Sequence, residues 1–184
     1  MLVYLTNAFS LNMLSHDYHE LTLLPLTPAD AAALLYVLEP AVVNAIGHPN
    51  THTLVEQTLK AELPALELPE PQRLTVRLAI YDAAIVAQYT GPRLEAGATV
   101  LPSDAQLSFW LVMEASRVRG PVVEELVEAY ATEWQKYESQ TMPSQTQYIH
   151  WAALTAMKAR AAELRPRAAD VLEALRQAAV LFPI

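Results

Sequence analysis

The residues in this chain best suited to chemistry lie at Ile46-Gly47-His48-Pro49-Asn50-Thr51-His52, a polar corner expected between two apolar helical runs. Gly47 permits a positive φ, Pro49 fixes its own φ and disfavours helix at His48, and Asn50 or Thr51 can cap a helix running through Leu54, Val55 and Leu59. An imidazole is thereby set at a helix N-terminus, where free backbone N–H groups and the helix dipole attract anions. Beside a phosphate held there, a histidine can give or take a proton near neutral pH, the minimum for acid–base work on a phosphodiester. On local chemistry alone the corner also fits a histidine packed into a turn with its ring nitrogens satisfied. Elsewhere His16 and His19 flank Asp17. A metal could use that spacing, but no third ligand is in reach by sequence, so a solvated loop is expected there, with no metal or cofactor.

The elements that must position the corner can be read from hydrophobic period. Residues 2–6 form a short apolar run with the content of a buried strand, and Asn7-Ala8-Phe9-Ser10-Leu11-Asn12 follows as a polar segment. Asn7, Ser10 and Asn12 offer donors and acceptors at a strand's carboxyl end, where open α/β sheets bind ligands; they equally fit a loop capping its own backbone. Residues 18–26 read as a second strand. Thr27-Pro28-Ala29-Asp30 then starts a helix, with Thr27 as N-cap and Pro28 at the first helical position, which Glu39-Pro40 stops. Residues 61–72, with Pro64, Pro69 and Pro71, predict an irregular connector. Two strands over 73–81 and 83–90 are expected to form a hairpin, followed by a turn carrying Arg93, a short helix over 103–108 and a last strand from Phe109.

From Gly120-Pro121 onward the period becomes helical. Val122, Val123, Leu126, Val127, Tyr130, Trp134 and Tyr137 mark one face, and two more helices start near Met142-Pro143 and Pro166. His150 and the Trp/Tyr stripe of this tail read as packing. The fold class expected is therefore α+β: a mixed β-sheet with flanking helices over residues 1–115, then an α-helical C-terminal extension over 116–184, whose amphipathic faces suit packing on the core or a protein partner.

Composition narrows the function classes. The 184 residues include no cysteine, which excludes disulfides, thiolate metal sites and cysteine nucleophiles. The N-terminus lacks a basic leader and no apolar run approaches the ~20 residues of a membrane span, so a soluble cytoplasmic protein with no membrane partner is expected. Residues 1–115 hold four Lys/Arg (Lys60, Arg73, Arg77, Arg93) against twelve Asp/Glu, so the whole net charge of −8 lies there. That argues against tracking long nucleic acid, an affinity that comes mostly from neutralising many phosphates. A small phosphorylated ligand met by a few converging arginines remains compatible.

Taken in order, Tyr4-Leu5-Thr6-Asn7-Ala8-Phe9-Ser10-Leu11-Asn12-Met13-Leu14, Ala45-Ile46-Gly47-His48, Gln72-Arg73, Gln88 and Arg93-Leu94 resemble the viral anti-CRISPR ring nuclease family. These small proteins of archaeal viruses, phages and mobile elements degrade cyclic tetra-adenylate, the second messenger of type III CRISPR defence. The resemblance covers about residues 1–115. It implies a homodimer of α+β subunits with cyclic tetra-adenylate, or a related cyclic oligonucleotide, bound across the two-fold, so that each residue meets the ligand twice. It also implies cleavage without a metal: a ribose 2′-hydroxyl attacks its adjacent phosphorus and expels the 5′-oxygen. His48 would protonate that oxygen, Arg93 would stabilise the transition-state charge, and Asn7, Ala8, Ser10, Gly47, Arg73 and Gln88 would hold ribose and phosphate. The family's Arg-Leu-x-Glu-Gly reads here Arg93-Leu94-Glu95-Ala96-Gly97, so Ala96 stands at the glutamate position and Glu95, one place early, is the carboxylate left to serve. Two further readings follow: a protein that sequesters the ring without cutting it, and an interaction module acting through the helical tail.

Overall fold

Glu39-Pro40 closes one helix and Val42-Val43 immediately begins a strand, so the chain enters a sheet before it reaches the His48 corner. In the computed structural model, which describes residues 2–9, 21–72, 83–91, 102, 105–114, 119–138 and 145–183, five strands form one mixed sheet. They are β1 (Val3–Thr6), β2 (Leu21–Leu26), β3 (Val42–Asn44), β4 (Ala83–Tyr89) and β5 (Leu107–Glu114), in the order β2-β5-β4-β1-β3. β1 runs parallel to both its neighbours, β3 and β4, while β5 pairs antiparallel with β4 and β2. All four residues of β1 are buried, which is why it reads as an unbroken apolar run rather than an alternation. Helices α1 (Pro28–Val37) and α2 (Pro49–Glu62) are interspersed among the strands in sequence, and α3 (Gly120–Glu138), α4 (Thr146–Leu164) and α5 (Ala168–Leu181) make the tail. The fold is α+β with a C-terminal helical region.

The start of α1 follows from its sequence. The Thr27 hydroxyl accepts the Asp30 backbone N–H at 3.0 Å, and an Asp30 carboxylate oxygen accepts the Thr27 N–H at 3.0 Å. Two otherwise unpaired donors are satisfied reciprocally, an arrangement that contributes about 1 kcal/mol.

The chain divides into two compact units, one of Met1–Ala32 with Ala41–Ala115, the other of Ala33–Pro40 with Ser116–Ile184. Val3, Leu5, Ile85 and Leu111 are wholly buried in the first, each burial contributing roughly 1.5–3 kcal/mol. In the second, α3 buries Val123, Leu126, Tyr130 and Trp134 and exposes Glu124 and Glu128. Tyr130 stacks on Trp134 at 5.9 Å between centroids, and Phe182 packs on both rings. The Tyr130 hydroxyl, kept protonated by burial, is hydrogen-bonded to Nδ1 of His150 at 2.7 Å. The tail's histidine and much of its aromatic stripe are thus packing, although Tyr148 and Trp151 remain exposed.

Asp170, fully buried at the start of α5, accepts the backbone N–H of Arg119 at 2.7 Å and of Arg167 at 3.0 Å, besides both guanidinium groups. Burial pushes its carboxyl up, but these hydrogen bonds outweigh it and hold the group below the usual carboxylate range.

Several local expectations are corrected. The run before the His48 corner is strand β3, since Pro40 ends the helix and two valines favour a strand beside β1. The cap of α2 is His48 rather than Asn50 or Thr51, because Pro49 takes the first helical position and the residue before it must stay extended, at φ −112° and ψ 124°. Both edges of β4 are occupied, by β1 and β5, which replaces the hairpin expected with residues 73–81. Residues 73–82 themselves lie outside the described residues. Leu107 and Ser108, expected in a short helix, begin β5 instead.

Candidate functional site

Three parallel strands end at one edge of the sheet, and the polar segments singled out from the sequence follow two of them. Leu5 stands opposite Asn44 in the β1–β3 pair, and Thr6 opposite Val86 in the β1–β4 pair. One residue beyond Leu5–Asn44, the Ala45 N–H still bonds the Leu5 carbonyl at 2.7 Å. Past these rungs Asn7-Ala8 leaves β1 and Ile46-Gly47-His48 leaves β3. Gln88 stands two residues beyond Val86 on β4, as Ala8 stands two beyond Thr6.

Each exit is shaped by a buried polar side chain folded back on its own backbone. The Thr6 hydroxyl, 4% exposed, donates to the Ala8 carbonyl at 2.9 Å and accepts the Ala8 N–H at 3.3 Å. The Asn44 amide oxygen, fully buried, accepts the Ile46 N–H at 3.2 Å. Both are side-chain turns spanning two residues, a device Ser, Thr, Asn and Asp use to redirect a chain. Sequence reasoning missed Thr6 and Asn44. The available signal was their spacing, each a polar residue closing an apolar run directly before a loop.

The corner presents its chemistry outward. Gly47 and His48 are exposed, and His48 precedes the first turn of α2, where the backbone N–H groups of Asn50 and Thr51 have no carbonyl partner among the described residues. A Cβ at Gly47 would meet nothing within 4 Å, and its φ is not in the positive range, so neither strain nor packing explains glycine there. Open space above a backbone without a side chain is what close approach of a ligand needs. One turn on, the His52 N–H bonds the His48 carbonyl at 3.0 Å, and its Nε2 is shielded from solvent without a hydrogen-bond partner among the described residues. Further along α2, Lys60 donates to Glu56 at 2.8 Å, and that bond holds the Glu56 carboxyl below its ordinary value.

Of the other expected site residues, Asn7 is half-buried, and Ala8 and Gln88 are exposed. Gln88 follows Ala84 and Val86 on the sheet face that also carries Tyr4, Val43 and Val112; Asn44 projects from the opposite face. Ser10, Arg73, Arg93 and Glu95, like Ala96 and the His16–His19 loop, lie outside the described residues. Among the described residues no three His, Asp or Glu side chains are grouped to hold a metal, and no helix is long and apolar enough to cross a membrane. A cavity of about 420 Å³ lies between α3 and α4, but its Arg160 pairs with Glu125 and Glu163, and its Lys136 with Glu133.

The sequence profile of the STIV B116-like family matches residues 3–108, which include both strand exits and the His48 corner. The chain belongs to that family. Among solved structures it is similar to B116 of Sulfolobus turreted icosahedral virus, at 26% identity over 61% of this chain and 99% of that one, with a TM-score of 0.47. No curated protein matches. The family portion ends before α3, so the helical tail lies outside the matched region.

Proposed function

We propose that this protein binds cyclic tetra-adenylate as a homodimer and cleaves it by metal-independent attack of a ribose 2′-hydroxyl, countering type III CRISPR signalling. The observation that supports this most is the shared exit of Asn7-Ala8 and Gly47-His48 from adjacent parallel strands. It sets an exposed imidazole before a helix N-terminus whose first N–H groups have no carbonyl partner among the described residues. In the reaction the 2′-oxygen bonds to its neighbouring phosphorus and the bond from phosphorus to the 5′-oxygen breaks. The proton on His48 goes to the departing oxygen, and the hydroxyl proton is released to Glu95 or water. A 2′,3′-cyclic phosphate results. Arg93 stabilises charge on the phosphorane-like transition state, and Asn7, Ala8, Ser10, Gly47 and Gln88 orient the ring. Two copies of Arg73 and Arg93 across the two-fold supply the positive charge that this otherwise acidic region lacks.

Ala96 favours a second reading, in which the same site binds the ring without cutting it and relieves signalling by mass action. A mass-spectrometric screen of cyclic oligoadenylates before and after mixing separates the two. Linear product supports cleavage, whereas intact ring recovered by heating the complex supports sequestration. No uptake of any ring contradicts both.

A further inference from the structure

Asn44 does more than turn its own strand end. Besides receiving the Ile46 N–H at 3.2 Å, its amide nitrogen donates to the Pro69 carbonyl at 2.8 Å, and its backbone carbonyl accepts the Gln72 N–H at 2.8 Å. A single residue with no exposed surface therefore fastens two stretches of chain more than twenty residues apart in sequence: the corner that carries His48 and the connector that ends at Gln72. Both side-chain hydrogen bonds are lost if the amide becomes aliphatic, because neither the Ile46 N–H nor the Pro69 carbonyl then keeps this partner, and only the backbone bond to Gln72 remains.

The connector needs such an anchor. Residues Leu63–Gln72 contain no helix or strand, and Pro64, Pro69 and Pro71 have no N–H to contribute to a ladder. Leu63 and Leu66 are buried and hold its first half by packing, but its second half holds no buried residue. The Asn44 bonds to Pro69 and Gln72 tie that second half to the end of β3. On the other side, Ile46 is buried but Gly47 and His48 are exposed, and a Cβ at Gly47 would meet nothing, so beyond the packing of Ile46 the corner's position depends on its backbone bonds.

We propose that Asn44 is a positioning residue of the ring-binding site: through Ile46 and Pro69 it fixes the His48 corner and the 69–72 connector relative to each other. This rests on the ring-binding reading above. Asn44 touches no ligand in this account and acts through the backbone it holds. A displacement of about 1 Å in a reacting group is enough to cost ~100-fold in rate, so loss of the amide weakens ring engagement even where the fold survives.

The test uses the full-length protein and cyclic tetra-adenylate. Asn44→Ala removes both side-chain bonds, whereas Asn44→Ser retains a hydroxyl able to receive the Ile46 N–H but too short to reach Pro69. Asp170→Asn in the tail, which weakens the buried ion cluster, serves as the control for lost stability alone. Affinity for the ring is measured by calorimetry well below the melting temperature of every variant, with amide hydrogen exchange at Ile46 and Gln72. The expected order is wild type, then Asn44→Ser, then Asn44→Ala, the last weaker by tenfold or more with faster exchange at both amides, while Asp170→Asn binds as wild type. If Asn44→Ala fails to fold, Asn44→Ser carries the comparison. Ring affinity within twofold of wild type in the folded Asn44 variants overturns the positioning role. If the wild-type protein takes up no ring, the ring-binding reading fails first, and the positioning role with it.

Discussion

Leu5 and Asn44 stand opposite each other in the parallel β1–β3 pair, and the Leu5 carbonyl takes the N–H of the next residue, Ala45, at 2.7 Å. The ladder thus continues one residue beyond the last paired rung before both chains break away. Asn7 and Gly47-His48 consequently leave adjacent parallel strands just past a buried stretch of β1, where Val3 and Leu5 have no exposed surface. Beyond these rungs the corner is held by the buried Ile46 side chain and by the bond from the Ile46 N–H to Asn44.

Gly47→Ala separates structural from ligand-bearing roles of the glycine. Because its Cβ would meet nothing and its φ is not positive, the variant should melt within the ±0.5 kcal/mol typical of a neutral surface change. If a ring approaches the backbone here, its affinity falls by about tenfold or more through the added methyl. Thermal melting and ring titration on the same sample check this. Unchanged affinity removes Gly47 from the ligand contacts.

Removing the tail should destabilise the part that matches the family. α1 is buried along Ala31–Leu38, and its second half, Ala33–Val37, belongs to the unit built on α3, α4 and α5. Tyr36 bonds the Thr155 hydroxyl at 2.9 Å, Lys158 lies 4.5 Å over the Tyr36 ring, and Lys158 pairs with Glu39. A chain ending at Ala115 loses all of these, and with them the rest of the unit to which the buried Leu34, Leu35 and Val37 belong. It should aggregate or melt well below the full-length protein. A soluble 1–115 fragment melting within a few degrees of full length contradicts this.

The tail should also lose stability on mild acidification. Burial holds His150 below its ordinary pKa, with Nδ1 hydrogen-bonded to the Tyr130 hydroxyl. The unfolded chain takes up a proton below about pH 6.5 that the folded imidazole still refuses. Its contribution is therefore complete above that pH and declines as pH falls toward the depressed folded value. Melting temperatures at pH 7.5 and 5.5 should differ more for wild type than for His150→Gln, whose amide can still accept from Tyr130. Equal differences in the two proteins would contradict the assignment.

What was legible in the sequence was local. The Thr27–Asp30 cap announces itself because both partners lie within one turn, and the α3 face from Val123 to Trp134 because its period is sustained over many residues. β3 was not legible, since Val42-Val43-Asn44 is too short to show alternation and is a strand only by virtue of β1. The hairpin expected for β4 failed for the same reason. Adjacency in sequence favours a near partner, whereas β4 pairs in parallel with β1, about eighty residues earlier. At the site, His48 and Asn7 could be noticed as residue types, but Thr6 and Asn44 could not be told from ordinary loop polars until their burial was known.

The most direct test of the central claim is incubation of wild-type and His48→Ala protein with labelled cyclic tetra-adenylate, following product by mass spectrometry and phosphorus NMR. The account predicts linear product ending in a 2′,3′-cyclic phosphate from the wild-type protein, formed in the presence of EDTA, and a rate lower by ~100-fold or more in His48→Ala with ring binding retained. Intact ring after prolonged incubation with wild type, or cleavage by His48→Ala at an undiminished rate, would contradict it.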